Sequence, residues 1–360
     1  MMELASIITR YEEALLNAND NLLPSQLKAL TAIKNCRTPA CGEMQAVCSC
    51  CGEVTWITHS CGHRSCPKCQ NHTATQWLER QKKKLLSVTY FLVTFTLPAQ
   101  LRPSAYSKQR AVYTSLFQTA VASLKELAAE SRFLDGDIGM TGVLHTHTRQ
   151  LNYHPHVHFI VPGGGINRKM NTWKKTTPHF LIRVEVLSKL FRGKFLASLR
   201  DQGISYPSIL HKIDWVVHSK PVGSGEKSLE YLSRYIYRGV ISEKNIVSDQ
   251  DGIVTFAYID SETKVRKTRS LPGPEFLKLL LMHVLPKGFR RVRDYGFLHG
   301  AAQKTLAFLQ LMLNIVLKPL ESTPRPEISC PNCGKPMKLV SFKVKRVLVF
   351  IRGSPVLRPV

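Results

Sequence analysis

The order of hydrophobic patterns in this chain predicts an α+β fold: an antiparallel sheet forming a palm with covering helices, plus a small cysteine-rich module on the amino-terminal side. Three observations carry that expectation. Val88–Leu97 (VTYFLVTFTL), Ile138–His147 and Tyr153–Val161 are rich in β-branched and aromatic residues and read as strands, the first stopped by Pro98. Helical patterns at Ser104–Ser131, Arg183–Gln202 and Glu226–Arg238 are interleaved with them. Eight of the ten cysteines fall between Cys36 and Cys69.

Taken in order, an amphipathic amino-terminal helix runs to about Asn19 and resumes near Pro24–Asn35, giving a helical segment over 1–35. Residues 36–84 form the cysteine module, which ends in a helix over Gln70–Lys84 bearing Arg80, Lys82, Lys83 and Lys84. A palm domain spans 85–300. Ile213–Ser219 adds a strand, Ile253–Ile259 and Val265–Ser270 a hairpin, and Pro274–Leu285 a helix. The order strand, helix, strand, strand, helix, strand, helix fits a sheet covered by helices on one face, as in a split βαβ or RNA-recognition-like palm. Residues 301–360 supply a short apolar helix, interrupted by Gln310 and Asn314, and a tail.

At 360 residues the chain is long enough for one sizeable core with an accessory domain, and 44% hydrophobic content supports folding. Fifty Lys and Arg against twenty-five Asp and Glu leave a net charge of +25, which calls for a polyanionic partner. Nucleic acid fits best. A membrane surface is disfavoured, because Met1–Leu22 carries Glu3, Glu12 and Glu13 instead of a basic start and an apolar run, and Leu306–Leu317 is too short to span. A cytoplasmic, nucleoid-associated location is therefore expected, and nothing in the sequence sets the oligomeric state.

The cysteine spacing is that of metal sites in a reducing compartment. Cys48-x-x-Cys51 and Cys66-x-x-Cys69 are separated by fourteen residues. Each pair can wrap a tight turn around one ion, so Cys48, Cys51, Cys66 and Cys69 are expected to close one structural Zn²⁺ site. Cys61, His63, Cys36 and Cys41 are the candidates for a second or alternative site. Cys330-x-x-Cys333-Gly is a further knuckle with no pair following it, for which Cys36 and Cys41 are the conceivable distant partners.

Chemistry is concentrated in Gly142–Val161, GVLHTHTRQLNYHPHVHFIV. Side chains alternate along a strand, so His154, His156 and His158 share one face. Residues two apart are roughly 6.7 Å apart and residues four apart roughly 13 Å, so one ion takes two adjacent histidines. With the turn centred on Gln150 and Leu151, His145 falls opposite His156 within the roughly 5 Å of a cross-strand pair and becomes the third ligand. Tyr231 and Tyr235, four apart on the Glu226–Arg238 helix, share a face. An aromatic stripe packed on the sheet is the plain reading of those two tyrosines, and catalysis would require a metal or base beside them. Gly223–Lys227 lacks the GxxxxGK[ST] pattern, which excludes nucleotide hydrolysis by a phosphate loop.

Two basic stretches are candidates for DNA contact. Arg168, Lys169, Trp173, Lys174 and Lys175 could grip a phosphate backbone and stack a base, and Arg290, Arg291 and Arg293 could line the DNA path, as could Arg234 on the tyrosine helix.

HPHVH followed after about seventy residues by YLSRY resembles the HUH superfamily of single-strand endonucleases. The order SCxxxxCPKCQ, FTLP, LHT…HPHVH…PGGG, YLSRYIYR and HVLPKGFRRVRDYGFL resembles the IS-ninety-one class of rolling-circle transposases, over Cys36–Cys333. The resemblance implies a divalent ion, Mg²⁺ or Mn²⁺, on His156 and His158 with a further ligand. It also implies successive attack by Tyr231 and Tyr235 on single-stranded DNA, forming 5′-phosphotyrosyl bonds in element ends and target. A replication initiator or relaxase shares that chemistry. A non-catalytic zinc-containing nucleic-acid-binding protein is the alternative from another class.

Overall fold

The computed structural model describes residues 2–19, 21–69, 71–177, 181–236, 240–316, 327–344 and 347–350. Two amino-terminal helices, α1 (Leu4–Asn17) and α2 (Pro24–Lys34), lead into the hairpin β1 (Glu43–Cys48) and β2 (Val54–Thr58) and helix α3 (Asn71–Lys82). Strand β3 (Tyr90–Thr96), helices α4 (Arg102–Ser107) and α5 (Gln109–Ala129), and strands β4 (Met140–His147) and β5 (Tyr153–Pro162) begin the palm. A small hairpin, β6 (Gly164–Asn167) and β7 (Thr172–Lys175), precedes α6 (Val184–Asp201), β8 (Val217–Pro221) and α7 (Glu226–Ile236). A three-stranded unit of β9 (Ile246–Gln250), β10 (Ile253–Ile259) and β11 (Arg266–Pro272) follows, then α8 (Gly273–Leu281), β12 (Val292–Tyr295) and α9 (Gln303–Met312). The last described elements are β13 (Met337–Val344) and β14 (Val347–Phe350).

The palm is an antiparallel sheet in the order β12-β4-β5-β3-β8. Alternation divides its side chains between two apolar faces. Phe91, Val93, Phe95, Leu144, Val157 and Phe159 meet α5 and α6 in the main core. Tyr90, Val143 and Ile160 point the other way and are covered by Trp77 of α3 and by Leu229 and Leu232 of α7. Helices therefore lie on both faces, not on one. The reason is visible in the strands: a face bearing Val143, Ile160 and Tyr90 could not stay in water without forfeiting about 1.5–3 kcal/mol for each large side chain.

A second core does not follow the linear division at residue 35. Leu4, Ile7, Ile8, Leu30 and Ile33 of the first two helices pack with Cys36, Cys66 and Cys69, with Val254 and Phe256 of β10, and with Phe276 and Leu277 of α8. Tyr11 donates to Asp249 at 2.6 Å, which also pairs with Arg10 at 2.8 Å, so α1 is held to β9. The tail likewise returns to the start of the chain, where β13 pairs antiparallel with β1 in a sheet ordered β14-β13-β1-β2.

Strand β12 lies in RVRDY, which reads in sequence as a basic loop. Its Asp294 accepts from Thr141 Oγ1 at 2.7 Å and from Lys84 Nζ at 2.6 Å, with Gln81 Nε2 at 3.1 Å. One carboxylate thereby holds α3 against the edge of the palm. Among the described residues, no helix is long and apolar enough to cross a membrane.

Candidate active site

The register of the β4–β5 hairpin sets the site. His145 stands opposite His156 and Val143 opposite His158, and the turn closes by Leu151 N–H donating to Thr148 O at 3.0 Å. A bulge between His145 and His147 then opposes His147 to Tyr153. The His147 ring lies 5.3 Å from that of His283 and 6.5 Å from that of His145, at the border of the same cleft. His154 is drawn towards Arg102 instead, with Nδ1 3.3 Å from Nη2.

Three imidazoles remain together. His145, His156 and His158 each place a ring nitrogen within 4.8 Å of the others, with ring centroids 4.6–5.3 Å apart. The His156 Nδ1–H donates to His154 O at 2.7 Å, which leaves Nε2 with its lone pair available. His158 Nδ1 shares a 2.7 Å hydrogen bond with Thr94 Oγ1, which orients that ring in the same way. Burial, followed by the neighbouring imidazoles, holds His145 well below the ordinary range. Burial pushes His156 down to about 4 and His158 to about 3. All three are thus neutral nitrogen donors at neutral pH, which is the form that ligates a metal. The donor set fits one divalent ion held by His145, His156 and His158.

The three histidines border an open cleft of about 570 Å³ whose other wall is built by Val240, Ile241, Phe256, Tyr258 and Ile259. Sequence reading missed this wall. Its signal, a hairpin of alternating aromatic and small residues at Ile253–Ile259, is legible only as a strand and says nothing about what it faces.

Helix α7 covers the same sheet face, its Leu229 and Leu232 resting beside Val143 and Ile160, the strand neighbours of His145 and His158. Lys82 of α3 pairs with Glu226 at 2.7 Å and Glu230 at 3.1 Å, fastening α7 from the outside. Tyr231 and Tyr235 lie on this helix, but their side chains, like that of Arg234, lie outside the described residues.

The expected DNA contacts divide. Arg168 and Lys169 are exposed, Arg168 pairing with Asp137, and Lys175 is exposed with Lys174 half-buried. Trp173, half-buried, packs within the fold: its ring meets Phe297 at 5.9 Å and covers Gly164, where a Cβ would lie 2.4 Å away. This hairpin follows the far end of β5, which lies roughly 13 Å along the strand from His158. Arg290 is exposed. The guanidinium of half-buried Arg293 stacks over Phe117 at 4.5 Å and Phe289 at 4.8 Å. Arg291 is half-buried, and burial brings its guanidinium down to about 10.

The cysteines form two clusters, not the single site expected of Cys48, Cys51, Cys66 and Cys69. Cys66 and Cys69 join Cys36 and Cys61, while Cys48 and Cys51 join Cys330 and Cys333, each set with sulfurs within 4.8 Å. The expected site fails because β1 and β2 intervene: the hairpin carries the first knuckle to the module's outer end, and the second packs into the core below α1 and α2. In the inner cluster the hydrogen bond from Cys66, ahead of the opposing effect of burial, lowers Cys61 to about 5. Arg64 anchors this loop to the palm by donating to Phe289 O at 2.6 Å and Pro286 O at 2.8 Å.

Fold and site together define a class: an antiparallel α+β palm with a histidine-based candidate metal centre and an attached cysteine-cluster module. Comparison with known proteins makes this particular. A family model described as “Putative transposase” matches residues 139–305, and one described as “Transposase zinc-binding domain” matches residues 7–97. “Putative transposase y4qJ” of Sinorhizobium fredii is 38% identical over 318 residues, covering 82% of this chain and 80% of that protein. “Transposase for insertion sequence element IS801” of Pseudomonas savastanoi pv. phaseolicola is 28% identical over 292 residues, covering 76% and 70%. The chain belongs to the IS-ninety-one family of transposases. Among solved structures, the conjugative relaxase TrwC in complex with mutant oriT DNA aligns over 62% of this chain and 74% of its own at 11% identity and a TM-score of 0.28. That likeness is too weak to bear on mechanism.

Proposed function

We propose that this transposase works by the rolling-circle route, nicking and rejoining single-stranded DNA through tyrosine-linked intermediates at the histidine cleft. The observation that carries the reading is the convergence of His145, His156 and His158 on the sheet face that α7, the helix of Tyr231 and Tyr235, also covers. A divalent ion bound there would supply a Lewis acid for a phosphate oxygen of the scissile bond and offset its developing charge. Imidazole donors favour Mn²⁺ over Mg²⁺ on chemical grounds.

The chain's own residues do the rest. One tyrosine loses its phenolic proton and its oxygen attacks phosphorus, forming the Tyr–O–P bond as the bond from phosphorus to the 3′-oxygen breaks. The leaving 3′-oxygen takes up a proton, and the 5′-phosphate stays on the protein. In the reverse sense a 3′-hydroxyl attacks the phosphotyrosyl group and releases the tyrosine, so the energy of the cut bond is kept and no ATP is needed. A second tyrosine allows a second strand end to be held while the first is rejoined. Neutral histidines set by Thr94 and His154 O hold the site in one arrangement, and exposed Arg168, Lys169, Lys175 and Arg290 contribute to strand binding within the +25 charge.

Incubation of the protein with labelled single-stranded DNA containing the element's end and Mn²⁺ tests the reading. Denaturing electrophoresis should show a protein–DNA adduct that chelator prevents. Binding that persists in chelator without any adduct, across both ends, would favour the non-catalytic alternative.

A further inference from the structure

We propose that Cys48, Cys51, Cys330 and Cys333 form a second structural zinc site, one that fastens the end of this chain to its amino-terminal module. Cys330 and Cys333 lie outside both matched family ranges, which end at residues 97 and 305, so the zinc-binding domain as matched contains only half of this site.

The two halves are built alike. Each is a Cys-x-x-Cys-Gly turn whose glycine takes a left-handed φ, +73° at Gly52 and +70° at Gly334. Each glycine N–H donates to the carbonyl of the first cysteine, Gly52 to Cys48 at 3.0 Å and Gly334 to Cys330 at 2.9 Å. Each first cysteine donates in turn to the residue after that glycine, Cys48 to Glu53 O at 2.9 Å and Cys330 to Lys335 O at 2.8 Å. Two such knuckles face each other with Cys48 Sγ 3.5 Å from Cys333 Sγ and Cys51 Sγ 3.6 Å from Cys330 Sγ. Four thiolates about 2.3 Å from a tetrahedral ion would lie roughly 3.8 Å from one another, so the sulfurs already stand near that spacing.

The surroundings agree. β13 leaves the second knuckle and pairs along β1 from Met337 opposite Cys48 to Lys343 opposite Glu43, with Ser341 Oγ donating to Gln45 Oε1 at 2.8 Å. Among the described residues the apolar cluster at this sheet is small: Ala46, Cys48, Cys330 and Met337 are buried together, with Ile57 and Ile328 partly so, and Val340 and Ser341 of β13 are buried as well. A core that small cannot hold a four-stranded sheet by itself, and a structural metal is the usual remedy. The ion would thus join parts of the chain 279 and 285 residues apart.

In a His156→Ala/His158→Ala background, which removes the histidine site, protein purified with zinc should carry two ions per chain by native mass spectrometry, and adding Cys330→Ser/Cys333→Ser should leave one, retained by Cys36, Cys61, Cys66 and Cys69. A cysteine variant that binds as much zinc as that parent overturns the proposal. Should the variant lose both ions through misfolding, the wild-type protein decides. Cys50, Cys51 and Cys333 are all exposed, yet only Cys50 should be alkylated by iodoacetamide in the zinc-loaded protein, with Cys51 and Cys333 reacting after chelator. Equal reaction of all three with zinc present overturns it.

Discussion

His145 on β4 and His156 on β5 are direct cross-strand partners, their rings 5.3 Å apart and nearly perpendicular. The pairing supplies a donor that a single strand cannot, because His154 turns away to Arg102. His145→Ala should weaken Mn²⁺ binding by at least tenfold in calorimetric titration, whereas His154→Ala should leave it within twofold. Equal losses in the two variants would contradict the assignment of His145 as a ligand.

Thr94 acts at one remove. Its 2.7 Å contact to His158 Nδ1 fixes that ring, and loss of such outer partners costs about 10–100-fold in metal affinity elsewhere. Thr94→Val should lower Mn²⁺ affinity by about that factor, with Thr94→Ser recovering most of it, and leave the thermal midpoint nearly unchanged. A fall in midpoint with unchanged affinity would mark Thr94 as a packing residue.

Burial pushes His283 down to about 4, although its Nε2–H donates to Leu151 O at 2.8 Å, and His147 beside it is lowered in the same direction. An unfolded histidine titrates near 6.5, so the unfolded chain binds more protons between those values. Stability is therefore complete above about pH 6.5 and declines as pH falls towards 4, by about 3 kcal/mol for His283 alone. Urea unfolding at pH 7.5 and 4.5 should show that decline, reduced in His283→Gln. An unchanged pH slope in the variant would remove His283 as its source.

Asp294 accepts hydrogen bonds from Thr141, Lys84 and Gln81, of which Thr141 and Gln81 are buried. Asp294→Ala leaves those donors without their acceptor and should destabilise the fold by about 1–3 kcal/mol. The denaturation midpoint measures this, and a shift below 0.5 kcal/mol, roughly the size of a neutral surface change, would show that water replaces the carboxylate.

The histidine hairpin was legible in the sequence because alternation, a short turn and β-branched neighbours all agree over Gly142–Val161. Register then followed from arithmetic, and His145 emerged as a partner of His156. β12 was hidden because Arg291, Arg293 and Asp294 imitate a basic loop, and only the edge of β4 gives them a ladder. The cysteines show a different limit. Spacing identifies a knuckle, but which knuckles face each other depends on β1 meeting β13 across most of the chain, and local pattern carries no information on that. The packing of Trp173 on Phe297 and of Arg293 on Phe117 was hidden for a similar reason, since each pair is far apart in sequence.

In the proposed reaction a tyrosine of α7 becomes covalently joined to DNA beside the three histidines. Protease digestion of the adduct formed with single-stranded element-end DNA and Mn²⁺, followed by peptide mass spectrometry, tests it most directly. The expected product is a 5′-phosphotyrosyl nucleotide on Tyr231 or Tyr235, abolished in Tyr231→Phe/Tyr235→Phe and in His156→Ala. An adduct on another residue, or one that survives the double tyrosine substitution, would contradict it.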